Sequence, residues 1–177
     1  MKTIRVTEAL SPFCDFSMIR PEVLEAAAAR GTAIHSYCTA YAQGLWAPLP
    51  LNGDGYCESF KRWMGLYVAE VYFAEVELTD PLLGFTGHPD LGVKLTDGRR
   101  VIVDIKTPAT EQKTWKAQIA AYKHLASREY PEIGFTGGMS LRLSKDGLSA
   151  KGTVYESGPE DFAAFLSALN CFRYFKS

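Results

Sequence analysis

The chain has 177 residues, 47% hydrophobic and 22% charged, which is the balance of a globular protein long enough to bury one core. Nineteen basic against 20 acidic residues leave a net charge of −1, which argues against strong indiscriminate adhesion to nucleic acid but not against a local basic groove. No run approaches the roughly 20 apolar residues of a membrane span, and Met1-Lys2-Thr3-Ile4-Arg5-Val6-Thr7-Glu8 lacks the apolar centre of a secretory signal. A cytoplasmic protein with no membrane partner is therefore expected.

Pro21 suits the first turn of a helix running through Glu22-Val23-Leu24-Glu25, which Gly31 is expected to interrupt. A second helix, Thr32 to about Ala42, then stops near Gly44. Leu45–Gly55, rich in Pro and Gly, reads as a loop, and Trp46 and Tyr56 there either cap the core or stack on bases of single-stranded DNA. Glu58 to about Ala69 is an amphipathic helix carrying Phe60, Trp63, Met64 and Tyr67. From Val71 the period becomes that of a strand, with Val71, Phe73, Val76 and Leu78 apolar and Pro81 ending it.

Strands follow around Gly87–Leu95 and Arg100–Thr107, joined at Thr96-Asp97-Gly98, and then a helix over Glu111–Arg128. Met139–Leu143 and Ala150–Tyr155 form a second hairpin turning at Asp146-Gly147, and Pro159 to about Phe175 is a closing helix. The order predicts an α/β (α+β) fold, a central mixed sheet flanked by helices, in a single domain over 1–177. Helices over 21–69 precede a core over 71–128. The four cysteines, Cys14, Cys38, Cys57 and Cys171, are scattered without a C-x-x-C pair, so buried free thiols are expected rather than a zinc ribbon or an iron–sulphur cluster.

The chemistry concentrates between Pro89 and Lys106. Asp104 and Lys106 are two apart on a strand and share a face. A two-residue Asp97-Gly98 turn pairs Leu91 with Asp104 and turns Asp90 to the other face. A three-residue loop with Gly98 at the left-handed position pairs Leu95 with Arg99, and hence Asp90 with Asp104. The second register places Leu91, Val93, Leu95, Val101, Val103 and Ile105 on one packed face. Asp90, Gly92, Asp104 and Lys106 then fall on the other, with Ile102 the apolar exception. Two facing carboxylates repel unless a cation lies between them. With an amine beside them they suit metal-dependent attack of water on a phosphodiester. The alternative is plainer: Asp90 starts a strand after Pro89, and Asp104 pairs with Lys106 or a distant arginine.

With its neighbours, this hairpin resembles the PD-(D/E)XK nuclease superfamily, in its RecB-like exonuclease branch. Arg30-Gly31-Thr32-Ala33-Ile34-His35 is similar to that branch's Gly-x-x-x-His signature, Gly87-His88-Pro89-Asp90 to its Gly-x-x-Asp strand, and Gln118-Ile119-Ala120-Ala121-Tyr122 to its Gln-x-x-x-Tyr helix. The matches fall in the family's order between Arg30 and Tyr122. The cysteines do not fit the iron–sulphur site of the branch's CRISPR-associated members, and Asp104 stands where the superfamily often has Glu.

The resemblance implies a restriction-endonuclease-like core and a deoxyribonuclease, an exonuclease of recombination or repair, that leaves 5′-phosphates. It implies His35 as a metal ligand beside Asp90, Asp104 and the main-chain carbonyl of Ile105. That donor set favours Mg²⁺ or Mn²⁺ over zinc. Lys106 then positions the attacking water or lowers its pKa. Gln118 and Tyr122, one helical turn apart on the face carrying Trp115 and Leu125, hold the site or contact DNA phosphate. His88 is a rival ligand that the motif does not use, and Glu77 is either a support for the site or an exposed strand residue. Lys113, Lys116 and Lys123, on the opposite helix face, are a solvated surface or a DNA groove. DNA is the expected partner. Two other readings are a nucleic-acid-binding module that does not cut, and a subunit needing a helicase or a single-strand-annealing protein.

Overall fold

The structure is a computed structural model that describes residues 3–14, 19–108, 111–156 and 158–176. Strand β1 (Ile4–Arg5) leads into helix α1 (Val6–Leu10), and helices α2 (Pro21–Ala42) and α3 (Asp54–Tyr67) follow. Strands β2 (Val68–Ala74), β3 (Leu78–Asp80), β4 (Phe85–Gly87), β5 (Leu91–Leu95) and β6 (Arg100–Lys106) come next. Helix α4 (Thr114–Glu129), strands β7 (Gly137–Arg142) and β8 (Lys151–Tyr155) and helix α5 (Pro159–Lys176) complete the chain.

A five-stranded sheet has the order β2-β5-β6-β7-β8, antiparallel except for the parallel pair β6–β7. A parallel neighbour requires a crossover, and α4 supplies it. A smaller sheet, β1-β4-β3, stands beside it. The architecture is the mixed sheet flanked by helices that the element order predicts. On one face α2 and α3 pack Ile34, Cys38, Phe60 and Trp63 against Leu91, Val93, Val101, Val103 and Ile105. On the other, α1, α4 and α5 bury Val6, Ala121, Leu125, Phe165 and Leu169 against Phe73 and Ile102.

Several boundaries differ from the sequence reading, each for an identifiable reason. Gly31 does not interrupt a helix: α2 runs unbroken for 22 residues. A helical glycine costs only about 1 kcal/mol relative to alanine, less than the packing of a long helix recovers. Helix α3 starts four residues early, at Asp54, and α4 starts at Thr114 rather than at Glu111. The strand expected from Val71 to Leu78 is two strands in two different sheets, broken at Glu75, which has φ +50°. The sequence carried the sign of this break. Val71 and Phe73 are in one phase of the alternation and Val76 and Leu78 in the other, so no single strand buries all four.

Likewise the Gly87–Leu95 strand is divided into β4 and β5 by His88-Pro89-Asp90. Trp46 does not cap the core; it is 86% exposed, while Tyr56 packs partly buried against the α2–α3 side. All four cysteines are free, but only Cys38 and Cys57 are buried.

Candidate active site

The hairpin β5–β6 pairs Leu91 with Val103, Gly92 with Ile102, Val93 with Val101 and Lys94 with Arg100. The same register continues through the turn, where the Leu95 amide donates to the Arg99 carbonyl at 2.8 Å and Gly98 adopts φ +89°. This is the three-residue loop; the ladder ends at Leu91–Val103, and one further step in the same register leads to Asp90 and Asp104. Packing enforces the register. A one-residue slip would turn the set of one strand, Leu91, Val93 and Leu95 or Val101, Val103 and Ile105, out of the core, at roughly 1.5–3 kcal/mol for each large side chain.

Asp90 lies just before β5 and is held from three sides. Its Oδ2 accepts the Ile105 amide at 2.6 Å, its Oδ1 stands 3.1 Å from His35 Nδ1, and its carbonyl accepts the Glu75 amide at 2.8 Å. The left-handed Glu75 is thus the kink that lets the chain leave β2 while bonding Asp90. Its carboxylate accepts from Thr39, one helical turn after His35. His35 reaches the site because the continuous α2 carries it across the end of β6; a continuous helix here is worth more to the site than the expected break.

Asp104, on β6 and only 4% exposed, is approached from α4. Gln118 Nε2 donates to its Oδ1 at 3.2 Å and to the Tyr122 hydroxyl at 3.1 Å, while Gln118 Oε1 accepts Lys106 Nζ at 3.0 Å. Lys106 Nζ also stands 2.5 Å from Asp104 Oδ2 and 5.3 Å from the centre of the Trp115 ring. A Cβ on Gly87 would lie 2.7 Å from Tyr122 Cε1, so glycine there lets the tyrosine ring lie against the strand. One glutamine therefore joins the carboxylate, the amine and the phenol.

The electrostatics are those of a crowded anionic centre. Burial raises the Asp104 pKa; Lys106 pulls it back, but the nearby Asp90 charge adds to the rise, and the net direction is upward. Burial opposes a charge on His35, yet Asp90 and, behind it, Asp104 outweigh that and hold its pKa above the usual histidine value. Burial, with the Asp104 charge adding to it, keeps the Tyr122 phenol protonated.

Among the described residues no group of three or more His, Cys, Asp or Glu side chains is arranged to hold a metal ion. Asp104 Oδ2 is buried and makes no well-directed hydrogen bond despite the ammonium beside it. Two carboxylates, an imidazole and a main-chain carbonyl fit a hard cation that keeps several waters, such as Mg²⁺, better than a closed zinc site.

The structure thus brings His35, Asp90, Asp104, Ile105, Lys106, Gln118 and Tyr122 together at the ends of β5 and β6. His88 and Glu77 stand apart, paired with each other at 3.7 Å on the surface. Lys116 is not simply solvated, since its Nζ lies 5.8 Å from the centre of the Tyr155 ring. Sequence reading gave the β7–β8 hairpin but assigned no residue of the site to it. There Ser140 pairs with Asp104, Arg142 with Lys106, and Tyr155 donates to Glu111 at 2.5 Å while contacting Ser140 Oγ at 3.0 Å. The order strand–helix–strand after Asp104 was the available signal, because it makes β7 the parallel neighbour of β6.

No family model and no curated protein sequence matches the chain. Among solved structures, LHK-Exo in complex with dAMP is similar, with 16% identity over 97% of this chain and 86% of that one and a TM-score of 0.43. A likeness at that level carries no argument about chemistry, which rests here on the site itself.

Proposed function

We propose that this chain is a deoxyribonuclease that hydrolyses DNA phosphodiesters with Mg²⁺ or Mn²⁺, acting as an exonuclease in recombination or repair. The observation that supports it is the convergence of His35 from α2, Asp90 from the residue before β5, and Asp104 and Lys106 from β6, with Asp90 bonded to His35 and to the Ile105 amide beside Asp104. A structural ion pair needs one carboxylate and one base; a second carboxylate that raises the pKa of the first costs stability and calls for a use.

Asp90, Asp104, the Ile105 carbonyl and His35 would hold the cation. When bound, it supplies Lewis-acid polarisation of the phosphate and a water of lowered pKa. The remaining work belongs to the protein. Lys106, steered by Gln118 and the face of Trp115, places a positive charge where the attacked phosphate gains negative charge. Gln118 fixes the Asp104 carboxylate, and Tyr122 stays protonated so that it offers the site a neutral hydroxyl. His35 would serve as a ligand through a neutral ring nitrogen, the form that its bond to Asp90 disfavours without a cation.

The test is cleavage of end-labelled linear, circular and single-stranded DNA with Mg²⁺ or Mn²⁺, run beside Asp104→Ala. The wild type should cut linear DNA and leave closed circles intact, and the variant should lose about 10³-fold or more. A variant that cuts as fast as the wild type would place the site elsewhere.

A further inference from the structure

The registers of β6, β7 and β8 place three cations in one row, Lys106 opposite Arg142 and Arg142 opposite Lys151. All three are on the sheet face that carries Asp104, because the row below reads Asp104, Ser140, Thr153 in the same registers. The intervening Met139 and Leu141 belong to the opposite core, which fixes the direction of their neighbours. Lys116 reaches over from α4 to the Tyr155 ring on β8. Arg142 is part-buried and its charge acts on the Tyr155 phenol, while Lys151 is exposed at the sheet edge. Asp104, paired with Lys106, and Glu111, which accepts from the Tyr155 hydroxyl, lie on the same face as these four cations. In a chain of net charge −1, this end of the sheet is locally basic and continuous with the site.

We propose that Lys106, Arg142 and Lys151, with Lys116 beside them, form a track for the phosphates of one polynucleotide strand leading from the reacting phosphate to the β8 edge. This deepens the nuclease reading and rests on it for what happens at Lys106. Two strand spacings make the row about 10 Å wide, and one strand carries a phosphate for roughly every 3.4 Å of helical rise, so the row takes more than one phosphate. The substrate class is then a strand with phosphates beyond the bond that is cut. A mononucleotide ester would leave Arg142 and Lys151 unused.

Binding is measured in EDTA by the fluorescence anisotropy of a labelled single-stranded oligonucleotide of about 12 nucleotides, across about 50–200 mM KCl. Arg142→Ala and Lys151→Ala should each weaken binding about tenfold at the low-salt end and flatten the salt slope by about 0.7. Arg142→Lys should recover most of the slope, and Lys94→Ala, an exposed cation on β5, should match the wild type. With Mg²⁺ present, Lys151→Ala should raise KM and spare kcat on saturating DNA. Folded Arg142→Ala and Lys151→Ala proteins with wild-type affinity and slope would overturn the track; should Arg142→Ala misfold, Lys151→Ala alone decides. Row-dependent binding without any cleavage by the wild type would sink the nuclease reading and keep the track. Cleavage with a KM indifferent to both substitutions would do the reverse.

Discussion

Among the buried aspartates, Asp80 and Asp104 each sit beside a histidine or a cation, with opposite electrostatics. Asp80, fully buried at the end of β3, accepts the Leu82 and Leu83 amides at 2.9 Å each, stands 2.8 Å from His124 Nε2 and 3.4 Å from Arg128 Nε. Burial works against its charge, but the His124 bond, the Leu83 amide, Arg128 and the Leu82 amide together hold its pKa below the ordinary value. Phe162 stacks on His124 with ring centres 4.4 Å apart, and Arg173 of α5 donates to the carbonyls of Leu83 and Gly84. That carboxylate is satisfied, and it ties a turn to α4 and α5. Asp104 is equally hidden, yet its pKa is pushed up, because burial and a second carboxylate outweigh its one amine. Similar residues make a structural staple in one place and a poised anion in the other. The difference lies in backbone amides against a facing carboxylate.

The sharpest way to break this comparison is to remove each carboxylate. Asp80→Ala should cost about 2–4 kcal/mol of stability, since it leaves two backbone amides, a histidine and an arginine without their acceptor. For a chain of this size the melting temperature should then fall by roughly 5–15 °C. Asp104→Ala should change the melting temperature far less while losing cleavage. Equal losses of stability would mean that Asp104 is a staple too.

A smaller effect concerns pH, and the two groups have opposite signs. A lowered folded pKa gives Asp80 a stabilising contribution that is full above the unfolded carboxylate value of about 3.9 and fades as pH falls through the folded one. A raised folded pKa makes the Asp104 contribution greatest below about 3.9 and diminishes it as pH rises through the folded value. In chelator, the stability difference between wild type and Asp80→Asn should therefore grow from acid towards neutrality. The difference between wild type and Asp104→Asn should decline over the same direction. Parallel profiles would contradict the assignment.

The hairpin and its register were legible in the sequence because alternation over ten positions admits one packed face, and burial of Leu91, Val93, Val101 and Val103 enforces it. That the residues from His35 to Tyr122 would meet was legible as spaced motifs, though their joining through Gln118 was not. Asp80-Pro81 could have been read as a turn in which the carboxylate takes amides two and three residues on. Its bond to His124 spans 44 positions and depends on how α4 lies over the small sheet. The Tyr155–Glu111 bond and the row through Arg142 likewise exist only once β7 is placed beside β6. Local pattern fixes which face a residue takes; only topology fixes which distant residue meets it.

The central claim is that Asp90 and Asp104 face each other to share a cation. Titration of the purified protein with Mn²⁺, followed by the loss of the free-ion paramagnetic signal, tests it directly. Binding by the wild type and by Asp80→Asn, with loss in Asp90→Ala and Asp104→Ala, is the predicted result. No binding by the wild type, or undiminished binding by Asp104→Ala, would contradict it.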